Sequence, residues 1–269
     1  MPEDRATQLD ISRTLEAAKA AARIAGNYLS LKLGTAKVEH QKSTNDDLLD
    51  ADLEAEQLIL NKLHDETPHI GALSEEAGYQ GKQDLFWIID PLDGSANFQH
   101  GNPVFGVSIA LVHNQSPLGG VIYLPIRDEM FFAIAGQGAY LNDNPITVSR
   151  ITTINEAMAH VGDFTKEGDA KLSNKRLKAL LKLGGKTRRL RMIGSAVTDL
   201  AYVACGRADV LINHAPDIWD IAAGALLVQE AGGQVTSKHD ENGDLLYIFS
   251  NKLLHQTVEE LLIEQELSY

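Results

Sequence analysis

The sequence predicts an α+β protein whose helices and sheets lie in layers. Two amphipathic helical patterns open the chain, and segments with the apolar alternation of antiparallel strands follow them. Helical stretches then alternate with short apolar runs, which is typical of a layered α/β unit. We therefore expect an N-terminal α+β part over residues 1–150 and a C-terminal α/β part over residues 151–269. No linker-like composition separates the two parts, so they should pack closely.

The paired helices of the first part are predicted from the spacing of apolar residues. In the first helix these residues recur at steps of three and four, and the pattern ends near Gly34. They are Ile11, Leu15, Ala18, Ala22, Ala25 and Leu29. The second helix carries Ala55, Leu58, Ile59 and Leu63. Acidic residues at its start, including Asp50 and Asp52, suit the positive end of the helix dipole.

The remaining elements follow from shorter patterns. Residues 85–89 are a continuous apolar run and predict a buried strand, whereas residues 105–111 alternate with a period of two. Turn residues over 114–120 lead to a predicted strand at 121–126, and a hairpin is expected over 130–141. In the second part, helices are predicted at four places. These are residues 170–182, 195–206, 217–230 and 253–265.

Composition restricts the classes of function. Of 269 residues, 44% are hydrophobic, enough to bury a full core, and the net charge is −13. This acidic balance argues against bulk binding of nucleic acid or of a membrane surface and suits cations better. The single cysteine, Cys205, excludes an internal disulfide, and no apolar run approaches the ~20 residues of a membrane span. The polar start of the chain is unlike a secretory signal, so we expect a cytoplasmic protein.

Residues 87–98, with the sequence WIIDPLDGSANF, carry the chemistry most directly. A predicted buried strand runs into Asp90, Pro91 breaks the ladder, and Asp93 follows at a spacing of three. Two carboxylates at one strand end suit a hard cation such as Mg²⁺. Gly94 permits close backbone approach, so the N–H groups of residues 94–96 point at a phosphate from a helix N-terminus. Taken alone, the same dipeptides also fit an ordinary β-turn in which Ser95 caps a helix.

Several short segments resemble motifs of the inositol monophosphatase family. They are spread along most of the chain and occur in the same order as in the family. They are Lys42-Ser43 with Asp46 and Asp52, Ser74-Glu75-Glu76, residues 87–98, Gly194-Ser195-Ala196, residues 206–209, and residues 219–224 with 230–233. The resemblance extends roughly from residue 10 to residue 255. Singly, each segment has a plainer reading: Glu75 and Glu76 as a solvated acidic pair, Asp52 and Asp220 as helix-start acids. Chance caps and turns do not explain acids that match one template throughout.

The resemblance implies a layered αβαβα sandwich of the sugar-phosphatase type and a Mg²⁺-dependent phosphatase. The reaction implied is hydrolysis of a small phosphate monoester, inositol monophosphate-like or a sugar phosphate, by a metal-activated water. Two or three Mg²⁺ ions are expected. Their implied ligands are Glu75, Asp90, the Leu92 carbonyl, Asp93 and Asp220. The implied catalytic residues are Glu75, Ser95 and Asp52.

The substrate contacts are also implied by family position. They are Asp93, Gly94, Ser95, Gly194, Ser195, Ala196, Asn213 and Asp220. Three positions depart from the family pattern: Ser95 replaces a threonine and keeps its hydroxyl, Leu49 also replaces a threonine, and Asn213 replaces a glutamate that binds inositol hydroxyls. The last change puts inositol specificity in doubt. A homodimer and inhibition by Li⁺ are expected by resemblance.

The sequence is also compatible with other functions. Within the same fold the chain could be a 3′(2′),5′-bisphosphate nucleotidase or a fructose-1,6-bisphosphatase. A protein of another class, a non-catalytic regulator that binds a partner, is less favoured because Glu75, Asp90, Asp93 and Asp220 are all retained. The basic residues at 186–191 predict a solvated strand edge, and a subunit contact or attraction of an anionic substrate is the functional alternative.

Overall fold

The computed structural model describes residues 10–43, 46–81, 84–163, 170–214, 216–239 and 245–263. Within them the N-terminal half forms three helices and ten strands. These are α1 Ile11–Lys32, β1 Val38–Ser43, β2 Asp46–Leu49, α2 Asp50–Glu66, β3 Gly71–Ser74, β4 Gly78–Gln80, β5 Leu85–Asp93, α3 Ser95–Gln99, β6 Gly106–His113, β7 Ser116–Leu124, β8 Glu129–Ile134, β9 Gly138–Leu141 and β10 Asn144–Ile146.

Helices and strands alternate through the rest of the described chain. These elements are β11 Met158–Val161, α4 Ala170–Gly184, β12 Arg189–Arg191, α5 Ala196–Ala204, β13 Val210–His214, α6 Ile218–Glu230, β14 Gln234–His239, β15 Leu245–Ser250 and α7 His255–Ile263. All four helices predicted for this half are therefore present, with ends that differ by at most two residues where both are described. The last helix is described only to Ile263.

The larger sheet has eight strands in the order β10-β9-β8-β7-β6-β5-β3-β4. Neighbours are antiparallel, as the sequence predicts, except that β3 runs parallel to β5. Parallel strands bring their carboxyl ends to the same edge of a sheet. In this pair Ser74 lies opposite Ile89, so Glu75 and Asp90 emerge side by side from neighbouring strands.

The smaller sheet has five strands in the order β12-β11-β13-β15-β14. The strand β11 runs parallel to both β12 and β13, whereas β15 is antiparallel to β13 and β14. The carboxyl ends of β11, β12 and β13 therefore meet at one edge, and the segments that contain Gly162, Gly194 and Asn213 begin or end there.

Helices cover both sheets and give a five-layer αβαβα sandwich. The helices α1 and α2 pack on one face of the large sheet, and α5 and α6 pack on the other. The same α5 and α6 contact the small sheet, whose far face carries α4 and α7. Three clusters of buried apolar residues fill the spaces between these layers. The predicted fold class is confirmed, while the division of the chain at residue 150 stays a prediction.

One predicted turn is too long. The sequence places turn residues over 114–120, but β7 begins at Ser116 and only Asn114 and Gln115 form the connection. Both have positive φ angles, 48° and 66°, as a two-residue hairpin turn requires. The glycines at 119 and 120 lie inside the strand. In the part of the chain that the structure describes, no helix is both long and apolar enough to cross a membrane.

Candidate active site

The site begins at the end of β5, where Asp90 and Asp93 leave the ladder. The register between β5 and β6 shifts between these two residues, around Pro91, which lacks a backbone donor. Such a bulge changes the direction in which side chains point. Both carboxylates are buried, with 1% of Asp90 and 9% of Asp93 exposed. The Leu92 N–H donates to Asp90 Oδ1 at 3.0 Å.

The third carboxylate comes from the start of α6. Asp220 accepts a hydrogen bond from the Asp217 N–H at 3.1 Å, which is the capping arrangement that the sequence allows as an alternative. The position of this helix start is set by Ser108 on β6, whose hydroxyl donates to the Trp219 carbonyl at 3.3 Å. Ser108 lies opposite Asp90 in the sheet, so one strand pair holds both parts of the site. Capping and a role at the site are thus compatible for Asp220.

One oxygen from each of Asp90, Asp93 and Asp220 lies within 4.8 Å of the other two. We call this group the carboxylate triad. Glu75 follows β3 and lies close enough for its negative charge to raise the pKa of Asp90 and Asp220. It is not one of the three residues that meet this mutual distance.

Burial raises the pKa of all three triad carboxyl groups, and the charges of nearby site carboxylates raise it further for Asp90 and Asp220. For Asp90 the pKa lies well above the usual range because of burial first and then the negative charges of Glu75, Asp93 and Asp220. Burial raises the pKa of Asp93 to about 7. Asp220 also has a raised pKa, mainly from burial and from the charge of Asp93. Such carboxylates are poorly stabilised as anions until a cation joins them.

The donor set fits a hard divalent cation. All three triad ligands are carboxylate oxygens, and the triad side chains include neither sulfur nor imidazole. Oxygen-only sets suit Mg²⁺, Ca²⁺ or Mn²⁺ rather than zinc or copper. The raised pKa values point the same way, since a bound cation removes the repulsion that causes part of the shift.

Asp93 also binds the first turn of α5. The Ser195 hydroxyl donates to Asp93, and the N–H groups of Ala196 and Val197 donate at 3.1 and 3.2 Å. These three hydrogen bonds lower the pKa of Asp93, although burial outweighs them. The segment of residues 194–196 is therefore placed against the triad by a direct contact with one of its members.

Ser95, Asp52 and Leu92 lie together on the other side of Asp93. The Ser95 hydroxyl is 3.0 Å from the Leu92 carbonyl oxygen and 3.4 Å from Asp52 Oδ1. Asp52 is buried, and its Oδ2 accepts the Leu49 N–H at 2.7 Å at the start of α2. Gly94 has a φ of 90°, and a Cβ there would lie 3.0 Å from the Val104 carbonyl oxygen, so only glycine fits without strain.

The sequence patterns do not predict two side chains that position parts of the site. Asn97 Nδ2 donates to the carbonyls of Val104, Ile193 and Gly194 at 2.8, 2.8 and 3.1 Å, which ties α3 to the segment before α5. Asn97 lies inside the quoted signature, but its spacing alone suggests no long-range partner.

Glu56 is the second of these positioning residues. It lies on the buried face of α2 and accepts the Ser74 hydroxyl and the N–H groups of Glu76 and Ala77, the latter two at 3.1 Å each. The backbone around Glu75 is fixed by these bonds. An acid four residues after Asp52, on the same helix face as Ile59, is the signal that was available.

Asn213 occupies the end of β13 and is 7% exposed. A Cβ at Gly162 would lie only 2.6 Å from Asn213 Oδ1, so the side chain packs against the backbone that follows β11. The neighbouring Asp163 reaches Gly194, where a Cβ would lie 3.2 Å from Asp163 Oδ2. The side chains of Lys42, Ser43 and Asp46, which the family resemblance also includes, lie outside the described part.

Comparison with known proteins agrees with this geometry. The model of the inositol monophosphatase family matches residues 10–265. Nus factor SuhB of Xylella fastidiosa is 43% identical over 217 residues, which cover 80% of this chain and 78% of that protein. The fructose-1,6-bisphosphatase/inositol-1-monophosphatase of Thermotoga maritima is 34% identical over 249 residues, covering 90% and 93%.

The fold is shared with solved structures. The extragenic suppressor protein suhB from Bartonella henselae superposes with a TM-score of 0.85 at 35% identity, covering 94% of this chain and 99% of the other. The resemblance drawn from the sequence motifs is thereby confirmed. This chain belongs to the inositol monophosphatase family, a family of metal-dependent phosphoric monoester hydrolases.

Proposed function

We propose that this protein hydrolyses a small phosphate monoester, either inositol monophosphate-like or a sugar phosphate, with Mg²⁺ as its cofactor. The observation that carries the proposal is the carboxylate triad, whose oxygens lie within 4.8 Å of one another although Asp220 is far from Asp90 and Asp93 in sequence. Buried acids without a cation destabilise a fold, so their convergence favours a metal-binding role.

The proposed ligand sets share Asp90. Glu75, Asp90 and the Leu92 carbonyl would hold one Mg²⁺, and the triad would hold a second. A third ion would bind through Glu75. When bound, these cations activate water and neutralise the charge that develops on the phosphate.

The chain's own residues supply the remaining steps. Glu75 orients the attacking water or accepts its proton, and the backbone fixed by Glu56 keeps that carboxylate in place. The Ser95 hydroxyl, which lies between Asp52 and Leu92, acts as a relay: it accepts a proton from the attacking water as it gives its own proton to Asp52. The N–H groups of residues 94 and 95 bind phosphate oxygens. None of these side chains needs to be phosphorylated itself.

The rest of the substrate would lie against the edge where β11, β12 and β13 end. Gly194, Ser195 and Ala196 are ordered there by their contact with Asp93, and Asn213 offers an uncharged amide. An amide both donates and accepts hydrogen bonds, so Asn213 suits hydroxyls of a sugar phosphate as well as those of inositol. Homodimer formation and inhibition by Li⁺ are further parts of this proposal.

The test is phosphate release from a panel of monoesters with Mg²⁺ and with EDTA. The panel contains inositol 1-phosphate, fructose 1,6-bisphosphate, glucose 1-phosphate and adenosine 3′,5′-bisphosphate, compared by kcat/KM. We expect Mg²⁺-dependent release that Asp93→Asn removes almost entirely, while the exposed helix residue Asp65→Asn, an identical chemical change, retains it. Equal turnover in the Asp93 variant would reject the assignment.

A regulatory role is the second candidate. It is favoured by one observation, the name Nus factor SuhB carried by the 43% identical relative. Such a role does not require hydrolysis. No phosphate release from any monoester, in a protein that nevertheless binds Mg²⁺, would favour it over catalysis.

A further inference from the structure

A groove with a volume of about 530 Å³ opens at the starts of β11 and β12, away from the carboxylate triad. Four arginines from three segments line it: Arg150, Arg188, Arg189 and Arg207. The other ends of these two strands lead to Gly162 and Gly194 at the candidate active site. At ~3.3 Å per residue, each of these strands spans roughly 10 Å between its two ends.

The groove is rich in positive charge, whereas the protein as a whole is negatively charged. The chain has a net charge of −13, yet Arg150, Arg188 and Arg189 have no carboxylate within ion-pair distance among the described residues. The Arg189 guanidinium donates to the neighbouring Arg188 carbonyl at 2.7 Å. Arg207 is the exception, because both of its terminal nitrogens bind Glu129, at 2.6 and 2.7 Å.

Neither of the two acids that line the groove forms an ion pair with the three arginines within the described part of the chain. Asp209 is 5% exposed and uses its carboxylate to accept the Ser149 hydroxyl and the Met158 N–H. Glu156 accepts the Thr153 hydroxyl at 2.6 Å and is exposed to solvent. Three guanidinium groups that face one concave surface repel one another, and a bound anion removes that cost.

Hydrogen bonds to the rest of the fold hold the segments that carry the arginines. Buried Asn251 donates to Ser149 Oγ and to the Ile151 carbonyl, each at 2.8 Å, and so fixes the loop that carries Arg150. The Arg188 N–H donates to the Ala157 carbonyl at 2.9 Å. These bonds fix the backbone that carries Arg150 and Arg188, so binding has to order only the exposed arginine side chains.

We propose that this groove binds a small polyanion that carries two or more phosphate groups. Guanidinium groups match phosphate oxygens in paired hydrogen bonds, and the tetrahedral phosphate accepts them from several directions at once, as arginines on separate segments require. The volume lies within the range of small-molecule sites. A long nucleic acid is disfavoured because the chain as a whole carries a net charge of −13.

The experiment is calorimetric titration with inorganic tripolyphosphate in EDTA, without Mg²⁺. Under this condition the carboxylate triad repels the probe, so binding reports the groove and is independent of any phosphatase activity. We expect saturable binding of one tripolyphosphate per chain. The double replacement Arg150→Gln and Arg188→Gln should weaken it by roughly tenfold or more, the loss expected for charge-assisted hydrogen bonds.

The matched control is Arg13→Gln, which removes an exposed arginine on α1 and should leave the affinity unchanged. Circular dichroism of each variant checks that it folds. The proposal is overturned if tripolyphosphate does not bind, or if the double variant and the control bind it equally. Affinity that rises steadily with the length of an RNA oligonucleotide, far above that for tripolyphosphate, would also overturn it in favour of nucleic acid.

Discussion

The hydroxyl of Ser195 donates a hydrogen bond to the carboxylate of Asp93, although 102 residues of sequence separate them. Ser195 is also the N-cap of α5, where its Oγ accepts the Thr198 N–H at 3.3 Å. The Ser195 side chain therefore caps the start of a helix and also binds a proposed metal ligand. This contact joins the large sheet to the C-terminal part of the chain at the site itself.

Replacing Ser195 should weaken the binding of Mg²⁺ more at low pH than at high pH. The hydroxyl lowers the pKa of Asp93, so Ser195→Ala raises that pKa further and leaves more of the carboxyl group protonated near neutral pH. Titration of activity with Mg²⁺ at pH 6.5 and pH 8 measures the effect. Ser195→Thr keeps the hydroxyl and serves as the control, and a pH-independent loss in the alanine variant would contradict the explanation. Loss of the cap should also cost about 1 kcal/mol of stability.

The metal-free protein should lose stability as pH rises from about 4 to 7. Asp93 has an ordinary unfolded pKa and a folded pKa raised to about 7, so the folded state binds the extra proton between these values. The contribution is favourable at low pH and disappears as pH passes through 7. Thermal unfolding in EDTA across this range is the measurement.

Two controls distinguish this effect from general acid–base behaviour. Asp93→Asn removes the titrating group, so the unfolding temperature of this variant should fall less over the same pH range. Adding Mg²⁺ should stabilise the wild-type protein most at pH 8, where the triad is most fully charged. A wild-type protein whose stability rises with pH more than that of the variant would contradict the raised pKa.

Ser95→Ala should lower kcat by roughly 10²- to 10⁴-fold, the usual range for lost proton transfer. The Ser95 hydroxyl is 3.4 Å from Asp52 Oδ1, and the methyl group of alanine transfers no proton. Steady-state kinetics at saturating Mg²⁺ gives the effect. Ser95→Thr restores a hydroxyl and should retain most activity, and an alanine variant with normal kcat would exclude the relay.

Asn213→Glu should raise activity on inositol 1-phosphate relative to the other monoesters. The change restores the carboxylate that the family pattern has at this position, and a carboxylate accepts two substrate hydroxyls. Gly162 packs against this side chain, so the longer glutamate must extend away from that backbone. The measurement is the ratio of kcat/KM for inositol 1-phosphate to kcat/KM for the other monoesters. Asn213→Gln is the control, because glutamine has the length of glutamate without its charge. An unchanged ratio in the glutamate variant would discard the idea.

Much of the fold follows from local pattern. The spacing of Leu15, Ala18 and Ala22 predicts the buried face of α1, because the helical period determines which side chains meet the core. In β6, which is buried on both faces, a period of two between large and small residues predicts the strand. The connection at 114–120 was predicted wrongly, since glycines inside β7 have the same composition as a turn. Whether such glycines lie in a turn or inside a strand depends on the residues that pack against them.

The sequence predicts less of the candidate site than of the fold. Asp90 and Asp93 share one short motif, so sequence spacing alone suggests a common ligand. That Asp220 joins them depends on how α6 packs across the large sheet, and only the family resemblance anticipates it. Glu56 and Asn97 act through hydrogen bonds to backbone groups far along the chain, and such contacts leave no periodic pattern.

Anomalous diffraction from crystals soaked in Mn²⁺ tests most directly whether the carboxylate triad holds a divalent cation. We predict an anomalous difference peak within bonding distance of carboxylate oxygens from Asp90, Asp93 and Asp220, and no such peak in Asp93→Asn crystals treated identically. An enzyme active with Mn²⁺ whose crystals show no peak at these residues would contradict the account.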